Sequence, residues 1–560
     1  MMLRLAPALI VILLVAPILA GLAMALLPAF GYLPVLGGDS LSLAPWRALF
    51  AEPGLWRSVA ISLASGLIAT AVSLAVVLLY LATATGSRLD RWIRRLVSPL
   101  LSIPHAAAAF GLAFLIAPSG LIARLASPEL TGWERPPDLL IVQDPWGLSL
   151  IAGLVIKEVP FLLLMSLAVL PQLDAERRIA MARSLGYRPT LAWWKVVAPS
   201  LYPLIRLPVF AVIAYASSVV DVAMILGPTL PPTLAVSILG WFSDPDLDKR
   251  FLASAGAILQ LGVTATALAI WWGLERLVAR LRDAWIARGG RCRGETGLHV
   301  AGKGWILLIT VIAFAGIGGL AIHSVAGFWR FPDALPDNVT TSHWVRSLPS
   351  LAGPVASTAL IAVVSTLLAL ALTLATLESE QRSGGATTRA LWLLYLPLIV
   401  PQIAFLFGLV VVMEQLGISP THALVAFGHL LFVLPYVFLS LSEAYRRFDP
   451  RWSRLALTLG ASCNGVFWRV RLPMLLAPIL TAMAVGLAVS IGQYLPTQLL
   501  GAGRVTTVTT EAVSLAAGGN RRMIGVWALV QACLPLLGFV IAIGLPKLLW
   551  SRRRDMQGAP

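Results

Sequence analysis

Long apolar stretches, separated by short polar and mostly basic ones, run the length of the chain. A helix needs about 20 apolar residues to cross about 30 Å of hydrocarbon, because its backbone N–H and C=O groups must be satisfied within the segment. Twelve stretches qualify, at 6–32, 58–84, 96–117, 146–170, 200–228, 251–275, 304–327, 352–377, 390–413, 420–443, 474–500 and 524–548. The pattern predicts an all-α polytopic membrane protein with about twelve transmembrane helices. The first stretch imitates a cleavable leader at Ala23-Met24-Ala25. Its uncharged run is too long for one, and only Arg4 precedes it, so a retained span is expected.

The charges between spans set an orientation. Arg88, Arg91, Arg94 and Arg95 follow the second stretch, and Arg276, Arg280, Arg282, Arg288, Arg291, Arg293 and Lys303 follow the sixth. Basic loops of this kind stay in the cytoplasm. Acidic residues dominate the other side: Glu129, Glu134, Asp138 and Asp144 between stretches 3 and 4, then Asp244, Asp246 and Asp248 after stretch 5. Both termini are then cytoplasmic, with Arg552, Arg553 and Arg554 closing the chain. One loop runs against the trend, where Arg504, Arg521 and Arg522 face outward opposed only by Glu511.

A repeat underlies the twelve stretches. Residues 182–199 match residues 456–473 at an offset of 274, with six identities: Ala182/Ala456, Leu185/Leu459, Gly186/Gly460, Trp194/Trp468, Val196/Val470 and Pro199/Pro473. Lys195 and Arg469 keep the charge. Gly227 with Thr233 matches Gly501 with Thr507 at the same offset, and Ile103-Pro104 through Gly111 matches Val400-Pro401 through Gly408 at 297. The larger offset places extra residues in the first half, where the polar stretch 118–145 forms an insertion on the outward face. The chain divides into a first half at 1–285, a basic linker at 286–303, and a second half at 304–560.

Each copy of the motif lies in a cytoplasmic loop between the fourth and fifth spans of its half, at 171–199 and 444–473. The glycine suits a sharp left-handed turn between two short helices. The proline suits the first turn of the following span, where its missing N–H costs little. Between them, Trp193, Trp194 and Lys195, or Phe467, Trp468 and Arg469, favour the membrane interface. A short helix held there and continuous with the next span can pass on the movement of a soluble partner.

These residues resemble the coupling loop, or EAA loop, of binding-protein-dependent ABC importer permeases, whose pattern is Glu-Ala-Ala, three residues, Gly, nine residues, Ile-x-Leu-Pro. Here the copies read Ala180-Met181-Ala182, Gly186, Val196-x-Ala198-Pro199 and Arg454-Leu455-Ala456, Gly460, Val470-x-Leu472-Pro473. The leading glutamate is replaced by Ala180 and Arg454. From about Trp56 to Trp550 the chain is similar to fused permeases of the iron(III) and thiamine type, in which one polypeptide supplies both halves. The resemblance implies two copies of a cytoplasmic ABC ATPase on the two loops, a periplasmic solute-binding protein, and ATP bound by those separate subunits, with no cofactor in this chain. It also implies a multi-pass protein of the bacterial inner membrane.

Ionisable residues at membrane depth are expensive and usually face a cavity or a partner. Lys157 and Glu158 in stretch 4, Asp221 in stretch 5, and His105 and His429 in stretches 3 and 10 are the candidates for a substrate pathway. Adjacent residues on a helix point about 100° apart, so Lys157 and Glu158 cannot share one narrow face.

Composition narrows the choice of function. With 560 residues, 58% of them hydrophobic and 12% charged, and a mean hydropathy of +0.85, the chain is too apolar for a water-soluble globule. The net charge of +16 lies in loops between spans, which argues for membrane topology and against nucleic acid. Cys292, Cys463 and Cys533 show neither disulfide nor metal-ligand spacing. Gly297-x-x-x-x-Gly302-Lys303 imitates a phosphate loop, yet Gly304 stands where Ser or Thr should be, and a linker is expected. Gly86-x-x-x-Asp90-Arg91 resembles part of a major facilitator signature, so a proton-coupled secondary transporter of that type is the alternative, and a scaffolding membrane protein the third.

Overall fold

The computed structural model describes residues 2–291, 294–383 and 393–550. Cys292 and Arg293 of the linker and Arg552, Arg553 and Arg554 of the tail lie outside the described residues. Among the described residues the regular elements are helical, apart from two isolated bridges, Leu33 with Gly38 and Ala326 with Val339. Ten helices are long and apolar enough to cross a membrane, and two bent pairs raise the number to twelve. The chain is a polytopic all-α membrane protein.

In the first half the helices that matter are α1 (Met2–Ala29), α2 (Leu55–Ala84), α3 (Arg88–Ser102), α4 (His105–Ile116), α5 (Leu148–Val169), α6 (Ala175–Ser184), α7 (Pro189–Ala192), α8 (Ala198–Ser218), α9 (Asp221–Leu226) and α10 (Lys249–Ala287). The second half follows with α11 (Thr296–Val325), α12 (Ser342–Ser383), α13 (Gln402–Gln415), α14 (His422–Arg446), α15 (Pro450–Thr458), α16 (Cys463–Val466), α17 (Leu476–Ile491), α18 (Leu495–Gly501) and α19 (Arg521–Leu549).

Four expected spans are broken, at matching places. The stretch 96–117 is two helices, because Pro104 disfavours helical backbone at Ile103, which sits extended at φ −68, ψ 127. α3 is therefore a separate amphipathic helix. Its Asp90 accepts from the Tyr80 hydroxyl at 2.6 Å, Arg94 Nε at 2.8 Å and the Gly86 N–H at 2.9 Å. Burial pushes the Asp90 carboxyl up, but these donors outweigh it and hold it below the usual carboxylate range. In the second half Val400-Pro401 breaks the chain in the same way, with a 96° bend before α13. The stretches 200–228 and 474–500 likewise end early, at Ser218 and Ile491, and restart as the short helices α9 and α18.

Broken backbone inside a membrane must find partners in the protein. Gln260 on α10 donates to the Ser217 carbonyl at 3.1 Å, and the Ser149 hydroxyl donates to that of Leu226 at 2.7 Å. Thr509, itself held by Gln531 at 2.8 Å, donates to the Ile491 carbonyl at 2.5 Å. Ser62 accepts from the Leu234 N–H and Thr358 from the Val508 N–H, both at 3.0 Å, so the two halves solve one problem twice.

The halves also exchange their opening helices. α1 packs on α13 and α12 of the second half, while α11 packs on α4 and α2 of the first. Both crossings run through paired glycines. A Cβ on Gly408 would lie 1.8 Å from the Gly21 carbonyl oxygen, and one on Gly111 would lie 2.9 Å from the backbone of Gly316. Small residues let the helix backbones touch, which is how apolar helices gain packing in a lipid solvent. Gly302 serves a third such approach, since a Cβ there would meet Thr83 Oγ1 at 2.2 Å. The glycines of the imitation phosphate loop thus lie in the first turns of α11, which begins at Thr296 and not at 304 as expected.

At the end opposite the repeated loops, the 118–145 insertion meets the second half. Arg124 donates to the carbonyls of Arg330 at 2.7 Å and Asp333 at 3.0 Å, and its guanidinium covers the Trp329 ring at 4.5 Å. Arg521, the misfit of the charge pattern, donates to the Ser119 carbonyl at 3.2 Å. Asp144 closes the insertion by accepting from the N–H groups of Trp146, Leu148 and Ser149 at the start of α5.

Candidate functional site

The two repeated loops fold alike. In the first, α6 ends, Gly186 turns the chain at φ +86, α7 follows, and a π turn at Trp193–Val197 runs straight into α8. In the second, α15, Gly460 at φ +86, α16 and a π turn at Phe467–Arg471 repeat the order. Only glycine takes this left-handed backbone at little cost. Pro199 lies in the first turn of α8, as its fixed φ favours, whereas Pro473 lies in the helical piece Leu472–Met474, ahead of the span and not in its first turn as expected. The roots of the loops meet on one face, where Gln172 Nε2 lies 3.4 Å from Glu443 Oε1.

A related expectation needs correction. The second loop is not continuous with its span, because the run Cys463–Met474 meets α17 at 73°. Pro478, in the first turn of α17, lacks the N–H that would bond the Met474 carbonyl, and the helix parts there.

Of the motif residues, Ala182 is buried, Ala456, Trp194, Val196 and Val470 are half-buried, and Ala180, Arg454 and Trp468 are exposed. Four further apolar residues of the repeat, to which the sequence reading gave no role of their own, project with Trp468. Met181 and Leu185 are 55% and 65% exposed, and their matches Leu455 and Leu459 are 53% and 80% exposed. Apolar side chains are thus held out on a polar loop twice at the same offset, which makes them the candidate contact surface. The signal was in the sequence, as an apolar residue near the end of each short helix and a leucine directly before each glycine, matched at one offset.

The loops differ in what anchors them. Behind the second, Glu378 on α12 accepts from Arg471 and, at 2.5 Å, from the Tyr445 hydroxyl, all three being buried. Behind the first, the linker does this work: Glu295, His299, Arg291 and Gly290 contact the turn at Leu185, α7 and the π turn.

The five intramembrane candidates do not form one group. Lys157 is enclosed and its Nζ donates to the carbonyls of Leu100, Leu101 and Ile103, closing the C-terminus of α3 as a cation suits a helix end. His429 is also enclosed, with Ser490 Oγ and Thr497 Oγ1 each 2.8 Å from a ring nitrogen, so it pins α14 to α17 and α18. The other three come together. Glu158 Oε1 lies 3.7 Å from His105 Nε2, the His105 ring meets the Tyr215 ring at 4.8 Å in a tilted contact, and Asp221 lies within electrostatic reach of His105 and Tyr494. Tyr494 belongs to the second half, and its hydroxyl reaches Met224 Sδ at 3.6 Å. Gly492 of the second half stands beside Pro104, with a Cβ there 3.8 Å from the proline. The cluster therefore sits on the seam between halves, and His105, about a third exposed, opens it.

A two-fold bundle with broken helices along its seam and two projecting loops of one fold at one end is the architecture of a membrane transport component. Residues 386–549 match a family described as the binding-protein-dependent transport system inner membrane component. The inner membrane ABC transporter permease protein YnjC of Escherichia coli is 33% identical over 518 residues, 91% of each chain. The molybdenum transport system permease protein ModB of Mycobacterium tuberculosis is 30% identical over 169 residues, 27% of this chain and 64% of that protein. A spermidine/putrescine transport system permease protein PotC homolog of Mycoplasma genitalium is 24% identical over 213 residues, 37% of this chain and 73% of that one. The chain belongs to the ABC transporter permease family and is a multi-pass inner-membrane protein. That membership sets aside the major facilitator alternative.

Proposed function

We propose that the chain is the permease of an ATP-driven importer, moving a small solute from a periplasmic binding protein into the cytoplasm. Two copies of an ABC ATPase hold the two loops, which face the cytoplasm with both termini. The observation that carries this reading is the matched pair of exposed apolar ridges, Met181 with Leu185 and Leu455 with Leu459, on one face of the molecule. Relatives named for molybdenum and for spermidine or putrescine support import of small solutes. Closure of the ATPases moves the loops together, and α8 carries the movement to the seam. Co-expression with its ATPase and capture from detergent is expected to yield two ATPase subunits per permease chain. A native mass showing one subunit or none overturns the reading.

The solute passes along the seam between halves, beside His105, Glu158, Asp221 and Tyr215, while Lys157 and His429 hold helices in place. In a chain with its three cysteines replaced, His105→Cys is expected to react with a small hydrophilic thiol reagent in nanodiscs, and nucleotide is expected to change the rate. A thiol that stays inert with and without ATP places the passage elsewhere.

A further inference from the structure

The two loops open their second short helix with the same backbone and different chemistry. Ser462, at φ −71 and ψ 158, precedes α16, and its hydroxyl accepts the Gly465 N–H at 3.1 Å. Arg188, the matching residue at φ −71 and ψ 156, precedes α7 and offers no side-chain acceptor. The first N–H groups of a helix need one. Glu295 supplies it from the linker, accepting from the Leu191 N–H at 3.0 Å and the Thr190 N–H at 3.4 Å, and is itself buried.

Glu295 is also the residue that precedes α11, the helix exchanged between halves. One turn on, the His299 ring bridges the Thr190 hydroxyl and the Thr83 carbonyl at the end of α2, both at 3.1 Å. On the other side, Arg291 donates to the Leu185 carbonyl at 2.9 Å, and Lys195 Nζ donates to the Gly290 carbonyl at 3.3 Å. The linker thus grips the first loop at both sides of its glycine turn, through the Leu185 carbonyl and the Thr190 and Leu191 N–H groups and through the side chains of Thr190 and Lys195.

We infer that the linker between halves is a mechanical strap, with Glu295 as its positioning residue, that joins the first coupling loop directly to α11 and so to the opposite half. Among the described residues the second loop shows no such tie, and it moves with α12 of its own half, through Glu378 and Arg471. The inference rests on the ATPase docking proposed above. It makes the two ATPase contacts inequivalent, since a stroke on the first loop moves two halves and a stroke on the second moves one.

Amide exchange in nanodiscs, on the full chain with its ATPase subunits and with or without magnesium AMP-PNP, tests it. In the wild type the nucleotide is expected to change exchange in residues 187–197 and 294–303 together. Glu295→Ala is expected to raise exchange at Leu191 about fivefold, the size of one lost helix cap, and to abolish the nucleotide response at 294–303 alone. Adding Arg188→Ser restores a local cap and protection at Leu191 but not the response at 294–303. An intact response in Glu295→Ala, or its return with Arg188→Ser, reduces Glu295 to a cap and overturns the strap. A wild type that responds at 187–197 but not at 294–303 overturns the strap alone, whereas no response at 187–197 overturns the coupling reading and the strap with it.

Discussion

Leu185→Asp combined with Leu459→Asp is expected to release the ATPase subunits from a permease that is otherwise folded. Both leucines are largely exposed on their glycine turns, so the substitutions leave the free chain nearly as stable as before. In the complex, an apolar anchor seated in a desolvated pocket typically costs about 2 kcal/mol or more when lost, about thirtyfold in the affinity of the subunit held by that loop. A carboxylate placed in the same pocket adds its own desolvation cost. Capture of the ATPase by the double variant and by each single variant gives the measurement, with a thermal scan of the free permease as control. Each single variant is expected to lose part of the capture and the double variant all of it. Full capture by the double variant would place the docking surface elsewhere.

Those leucines show where a sequence is legible and where it is not. The repeat, the loops and the glycine turns could be read directly, because each depends on local chemistry: a left-handed φ at Gly186 and Gly460, and, at Pro199, a proline in the first turn of a span. The number of spans was legible for the same reason, since apolar length alone sets it. Their integrity was not. Counting apolar residues runs across Ile103-Pro104, Val400-Pro401 and the breaks after Ser218 and Ile491, although the backbone turns at each. What permits those breaks is a remote acceptor or donor, such as Gln260 or Thr509, and no periodicity announces it.

The intramembrane charges follow the same rule. Lys157 and Glu158 are neighbours that part company because the carbonyl end of α3, more than fifty residues earlier in the chain, lies against one of them. The exchange of α1 and α11 was hidden too, since Gly111 and Gly408 were visible as a matched pair but their partners Gly316 and Gly21 were not. A helix pair in lipid is chosen by shape across the whole bundle. Sequence order divides this chain at its linker, while packing knits the two halves together on either side of it.

The anchors behind the loops yield the second large effect. Glu378→Ala is expected to destabilise the protein by about 3–5 kcal/mol, because it strands a buried guanidinium. Arg471 is buried between the rings of Tyr445 and Phe448, with centroids 5.5 and 5.6 Å away, and its Nη2 donates to Ser453 at 3.1 Å. Glu378 is its carboxylate partner and also takes the Tyr445 hydroxyl and Arg382 Nε, the latter at 2.7 Å. With that carboxylate gone, neither water nor another acid reaches Arg471 at no cost, and the loop moves until the charge is solvated. Glu378→Gln keeps an acceptor and is expected to lose less. Removing both charges, as Glu378→Leu with Arg471→Leu, is expected to recover most of the loss, since a buried pair gives little beyond what an apolar pair of like volume gives. In the register that aligns Ser62 with Thr358, Glu378 matches Ala82, and at the loop offset Arg471 matches Val197. The first loop thus never had this pair and does not depend on it. Glu378→Ala should therefore raise amide exchange at 450–471 and leave 175–197 as it was, and equal loosening of both loops would mean that their anchors are shared.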